Sequence, residues 1–108
     1  MATIEQDGSQ TAVIGTEHTL FTVATGYAAR VLTVDVSAMI AGDVLELRVS
    51  SPVRSGGTVQ LIKLLPFTGA QTEPNAQSFP FLTHPTATFT LKQTAGTGRA
   101  FPWAVSTL

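Results

Sequence analysis

Residue types that commonly do chemistry in proteins are few and scattered in this chain. Its two histidines, His18 and His84, have no other His, Cys, Asp or Glu two to four residues away, which is the spacing that metal sites favour. Glu17 adjoins His18, but adjacent residues of a strand point to opposite faces of the sheet. The chain has no cysteine, which excludes disulfides, thiolate metal sites and a cysteine nucleophile. We therefore expect no metal and no other cofactor.

The seven carboxylates are also spread along the chain without an obvious pair. Two of them could still meet in space, as the acids of a glycosidase do. The motifs of serine hydrolases, phosphate-binding loops and dinucleotide-binding folds are missing from the sequence. We expect a protein that is not an enzyme.

One glycine-rich stretch, TAGTGR at residues 94–99, has two interpretations. Glycines allow successive backbone N–H groups to converge on an anion, and Arg99 beside them could hold a phosphate or a carboxylate. No helix pattern follows the stretch, and apolar, strand-like runs flank it. The simpler interpretation is a glycine turn of a hairpin that joins TATFTLKQT to AFPWAVSTL, with Arg99 exposed.

Two pairs of aromatic residues are candidates for either a core or an interface. Phe101 and Trp103 lie two residues apart and so share one face of a strand, and Phe79 and Phe81 do the same. Each pair would fill a core or anchor a protein contact, where Trp and Arg are enriched. Arg54 lies in the loop SPVRSGG and is a further contact candidate.

Alternating apolar and polar residues predict an all-β fold. The clearest strands are ARVLTVDVS, with Leu32, Val34 and Val36 on one face, and VLELRVS, with Leu45 and Leu47 facing inward. SAMIAGD between them predicts one helical turn. Seven or eight short strands in a single domain predict a β-sandwich of jelly-roll or Greek-key type over residues 11–108, preceded by a polar N-terminal arm over residues 1–10 that orders only on a partner.

Charge is unusually scarce. The net charge is −1, and charged residues make up 12% of the chain, against about 25% in typical soluble domains. With 17 threonines, this predicts an uncharged surface suited to protein contact or, alternatively, a neutral β-protein that tolerates few charges. No basic patch, signal peptide or membrane-spanning stretch is visible, so we expect synthesis in a cytoplasm and no direct binding of nucleic acid or membrane.

Two segments, IAGDVLELRVSSPVRSGGT and FTLKQTAGTGRAFPWAV, resemble small all-β structural proteins of tailed bacteriophages. The resemblance spans most of residues 19–108 and rests on turns and strands. It implies a virion component that is made in the bacterial host cytoplasm. In particular, it implies a head decoration (cement) protein on the capsid exterior that binds the major capsid protein as a homotrimer. It also allows a tail- or fibre-associated module that binds carbohydrate or a receptor, with aromatic residues of FPFLTH stacking on sugar rings.

The strand TVQLIKLLPF is apolar on both faces. If Val59, Leu61 and Leu65 fill the core, then Ile62 and Leu64 face outward and predict an interface between copies. The alternative is that the loop from residue 68 to residue 78 folds over the outward face and covers them.

Overall fold

The computed structural model describes residues 3–108. It contains nine β-strands and, in that range, no helix. The strands are β1 (Thr3–Thr11), β2 (Glu17–Thr22), β3 (Ala28–Asp35), β4 (Val44–Pro52), β5 (Val59–Thr68), β6 (Asn75–Gln77), β7 (Phe81–Thr83), β8 (Thr88–Ala95) and β9 (Ala100–Thr107). Among these residues no helix is long and apolar enough to cross a membrane.

The strands form two antiparallel sheets packed face to face, so the predicted all-β sandwich is confirmed. One sheet has the order β2-β8-β4-β5, and the other has the order β1-β9-β3-β6, with β7 also paired to β3. Because β6 and β7 pair with opposite ends of β3, they act as one interrupted strand. The result is eight strand positions in two four-stranded layers, with most connections crossing between the layers, which is the jelly-roll arrangement.

The core lies between the sheets and follows the alternation in the sequence. Leu32, Val34, Leu45 and Leu47 are at most 1% exposed, as their positions on β3 and β4 predict. On β8 and β9 the fully buried aromatic residues are Phe89 and Phe101. The strongest period-two patterns therefore lie on the central strands, which are covered on one face by the opposite sheet.

The N-terminal segment differs from the predicted arm. Thr3–Thr11 is a strand at the edge of the five-stranded sheet and pairs with β9 along its length. Almost every side chain in it is exposed, so its polarity reflects an edge strand with little core to face. Residues 1 and 2 of the predicted arm lie outside the described residues.

Two local predictions were wrong. The segment SAMIAGD forms consecutive turns, closed by the bonds from Met39 N to Val36 O at 3.1 Å and from Asp43 N to Ile40 O at 3.1 Å, and no helix. β8 and β9 do not form a hairpin, because they belong to different sheets and the turn between them crosses the sandwich. Glycine-rich turns of hairpins and of sheet crossings look alike in sequence, since only the partner strands distinguish them.

Candidate functional site

The glycine-rich turn at residues 95–99 already binds a carboxylate, and that carboxylate is the chain's own Asp43. Asp43 is 1% exposed and accepts hydrogen bonds from the backbone N–H groups of Ile40 (3.0 Å) and Thr97 (3.2 Å) and from Nε of Arg99 (3.0 Å). The Ile40 N–H and then the Arg99 guanidinium hold the pKa of Asp43 below its usual value. Arg99 is therefore committed, through Nε, to an internal ion pair.

Gln93 completes the fastening of this turn. Its side chain is fully buried and donates through Nε2 to the carbonyl oxygens of Ala95 (3.0 Å) and Thr97 (2.8 Å), while its Oε1 accepts from the N–H of Arg99 (3.2 Å). The turn's polar groups are thus directed inward. Its geometry is that of a structural crossing between the sheets.

A second buried charge, Arg30, was not singled out by the sequence analysis. It is 3% exposed, it donates from its guanidinium to Thr83 Oγ1 at 2.8 Å, and it forms an ion pair with Glu5 of β1. Burial raises the pKa of Glu5, but the hydrogen bonds from Arg30 and Thr107 and the charge of Arg30 outweigh this effect and keep the pKa below its ordinary value. Arg30 therefore connects β1, β3 and β7.

The aromatic pairs divide between core and surface. Phe101 is fully buried, and Trp103 and Phe81 are partly buried against the core, so these three act mainly in packing. Phe79 is different, because 73% of it is exposed. Of the four aromatic interface candidates, Phe79 is the one that is open to a partner.

The faces of β5 differ from their predicted assignment. Leu65 packs against the core, but Val59 and Leu61 are 39% and 56% exposed. The pairing of β4 with β5 shifts register between Val49 and Ser50, and this irregularity interrupts the alternation assumed for β5. Leu64 is half-buried opposite Arg48 on β4, which agrees with an outward position.

Ile62, by contrast, contributes to a groove at one end of the sandwich. The groove has a volume of about 230 Å³, and its lining also includes Ser51, Pro52 and His84. Four exposed apolar side chains surround it, and we call them the apolar rim: Tyr27 (55% exposed), Val53 (80%), Ile62 (38%) and Leu82 (62%). The ring of His84 stacks on that of Tyr27, with centroids 4.1 Å apart.

The larger concavity lies on the outer face of the five-stranded sheet and has a volume of about 650 Å³. Asp7 and Asp35 contribute carboxylates to it, and we call it the acidic depression. Asp7 pairs with Ala104, which in turn pairs with Thr33, so these side chains share the outer face. Its remaining lining residues are Gly8, Ser37, Pro74, Asn75, Pro102 and Trp103.

His18 lies on β2 and His84 directly follows β7, and each makes local contacts. His18 accepts a hydrogen bond from the N–H of Val13 (3.2 Å), and His84 belongs to the groove. Within residues 3–108, no three His, Cys, Asp or Glu side chains come together in a way that could hold a metal ion. Arg54 is exposed on the β4–β5 hairpin.

No family model matches the chain, and no curated protein or solved structure is similar to it. The site must therefore be interpreted from its own residues. Three of the four rim residues, Tyr27, Val53 and Leu82, were missed by the sequence analysis. Tyr27 and Val53 lie in loops and Leu82 lies in a three-residue edge strand, where no alternation identifies an exposed face. Their proximity depends on strand order, which no local pattern encodes.

Proposed function

We propose that the protein is a structural component of a tailed-bacteriophage virion, and specifically a decoration (cement) protein that binds the major capsid protein on the capsid exterior. The observation that carries the proposal is the apolar rim. Tyr27, Val53, Ile62 and Leu82 are all exposed around one groove, and exposed apolar residues that adjoin one another mark contact surfaces. The role is a binding role and requires no catalytic group.

The fold and the surface composition support the same role. Jelly rolls serve in viral capsids and in lectins, although a fold alone does not decide a function. On the outer face of the four-stranded sheet, Thr22 of β2 pairs with Thr88 of β8, and Thr19 of β2 pairs with Thr90 of β8. The same face also carries Glu17, Glu46, Arg48 and Lys92, so it is the low charge of the chain as a whole that favours protein contact.

The proposed mechanism is mass action. A protein that binds the assembled lattice, but not its separated subunits, stabilises the lattice by an amount that grows with its concentration relative to its dissociation constant. A homotrimer would place three apolar rims on the lattice at once. Linked sites bind more tightly than single ones when their spacing allows simultaneous contact.

The proposal is tested on purified particles of the phage that encodes the chain, with heads separated from tails. Mass spectrometry is expected to find the protein in the head fraction, and extraction of the protein is expected to lower the temperature at which heads break. Finding the protein only in tails, or in no particle, would contradict the proposal.

The role of the rim is tested with stripped heads and added protein. Leu82→Asp places a charge in the contact, so we expect binding to weaken by at least about tenfold with the fold intact. Val13→Asp is the matched control, because Val13 is 58% exposed and Leu82 is 62% exposed. Equal binding by both variants would show that the rim is not the contact.

A second candidate function is a tail- or fibre-associated module that binds carbohydrate. The exposed ring of Phe79 favours it, since 73% of this side chain is open to solvent and a flat apolar ring can stack on a sugar. A glycan array would be positive for this function and lose signal on Phe79→Ala. A blank array, together with binding to heads, favours the decoration role.

A further inference from the structure

Among residues 3–108, three side-chain carboxylates form no ion pair, Asp7, Asp35 and Glu73, and the first two lie in the same depression. Four ion pairs occur among residues 3–108: Glu5–Arg30, Glu17–Arg48, Glu46–Arg48 and Asp43–Arg99. Asp7 and Asp35 take part in none of them, and both line the acidic depression. Side-chain and backbone hydrogen bonds from Ser37 hold the pKa of Asp35 below its usual value, so this carboxylate is charged at neutral pH.

The depression combines this charge with apolar walls. Its volume is about 650 Å³, and Pro74 and Pro102 lie beside the two carboxylates. A long cationic side chain matches such a lining, because its methylene groups pack against apolar surface while its charged end reaches the carboxylates. A planar guanidinium can in addition form paired hydrogen bonds to a carboxylate.

One arginine of the chain is placed to supply that side chain. Arg54 lies on the exposed β4–β5 hairpin, forms none of the four ion pairs, and is preceded by Val53, which is 80% exposed. The hairpin surface around it is lined by Val53, Gly56, Gly57, Thr58 and Gln60, which include no carboxylate. The hairpin belongs to the four-stranded sheet and the depression to the other sheet, and the two share no lining residue.

We propose that Arg54 of one copy enters the acidic depression of a second copy and binds Asp7 and Asp35 there. The inference rests on the proposed function, which includes a homo-oligomer, and it names a contact that would hold that oligomer together. Because the two surfaces are different, the contact is head-to-tail, and such contacts close into rings when the rotation permits. A ring of three agrees with the proposed trimer.

The test is a charge exchange measured by analytical ultracentrifugation. Arg54→Glu and Asp7→Arg, each alone, are expected to weaken association by at least about tenfold, and the double variant is expected to recover most of the loss. Lys63→Glu is the control, because it makes the same change of net charge at another exposed basic residue. Circular dichroism checks that every variant keeps its β-sheet signal.

The outcomes separate this inference from the proposed function. Association of Arg54→Glu equal to that of the unmodified chain, no recovery in the double variant, or an unmodified chain that stays monomeric up to about 1 mM would overturn the contact. Presence of the protein in heads is measured independently by mass spectrometry. If the contact fails and the protein is still found in heads, only the inference is lost; absence from heads contradicts the decoration role whatever the ultracentrifuge shows.

Discussion

Gly98 is the position at which a single methyl group tests the assignment of the glycine-rich turn as structural. A Cβ added there would overlap the backbone carbonyl oxygen of Ala12, inside the 3.0 Å below which real Cβ contacts essentially do not occur. The backbone cannot separate freely at this point, because the N–H of Ala12 donates to the carbonyl of Arg99 at 2.8 Å. Gly98→Ala must therefore strain the chain or lengthen that bond.

The expected cost follows from these two effects. Overpacking costs about 1 to 3 kcal/mol, and a weakened backbone hydrogen bond adds about 1 kcal/mol. Restricting the unfolded chain returns roughly 0.4 to 1 kcal/mol. We expect a net loss of about 1 to 4 kcal/mol, which lowers the melting temperature by roughly 5 to 25 °C in a domain of this size.

Two other glycines provide matched controls for the same substitution. Gly15 has φ +84° and open space around its Cβ position, so Gly15→Ala has only the backbone cost and loses about 1 kcal/mol. At Gly8 the new methyl group would meet Trp103 at an ordinary 3.4 Å, and Gly8→Ala should be neutral or slightly stabilising. Urea unfolding followed by tryptophan fluorescence and circular dichroism measures all three. A Gly98→Ala protein as stable as the unmodified chain would refute the reasoning.

Three further predictions concern the buried polar groups and the core. Because the pKa values of Glu5 and Asp43 are lowered in the folded chain, the unfolded chain binds more protons than the folded one while these groups titrate. Thermal unfolding measured across pH should therefore show that stability falls as the pH drops below about 5, and these two groups should contribute no change between about pH 6 and 8. Glu5→Ala should cost about 2 kcal/mol and speed amide exchange in β1, whereas Asp7→Ala on the same strand should stay within about 0.5 kcal/mol. Phe101→Ala should cost about 3 to 5 kcal/mol and Phe79→Ala less than about 0.5 kcal/mol in urea unfolding, since the first ring is fully buried and the second is 73% exposed.

The strands that could be predicted from the sequence are those whose own residues alternate between apolar and polar, because one of their faces packs on the core. β3 and β4 are central, with one face on the core, and their alternation identifies Leu32 and Leu47 as buried before any partner strand is known. β1 has no such signal, because an edge strand that is exposed on both faces shows no alternation of apolar and polar residues. Its assignment requires β9, whose paired residues lie about 90 to 100 positions further along the chain, from Thr11 opposite Ala100 to Thr3 opposite Thr107.

The polar groups that organise the fold were harder to find for a related reason. Arg30 and Asp43 look like surface residues in the sequence, since charged side chains are rarely buried without a partner. Each is buried because a partner distant in sequence satisfies it: Glu5 for Arg30, and Arg99 for Asp43. The exposed Arg predicted at the glycine turn is instead half of such a pair, and its own turn supplies a further donor to the same carboxylate.

The apolar rim follows the same logic on the outside of the molecule. Ile62 was predicted to face outward from a strictly alternating β5, but the register shift in the pairing with β4 means that residues on its two sides do not follow one alternation. Ile62 lies at that shift and lines the groove together with Val53. Tyr27, which directly precedes β3, and Leu82 of β7 reach the same groove from the five-stranded sheet. A contact surface built in this way depends on the closure of the sandwich. Substitutions that loosen the sheets, such as Gly98→Ala, should therefore weaken binding through stability, whereas Leu82→Asp should weaken it with the melting temperature nearly unchanged.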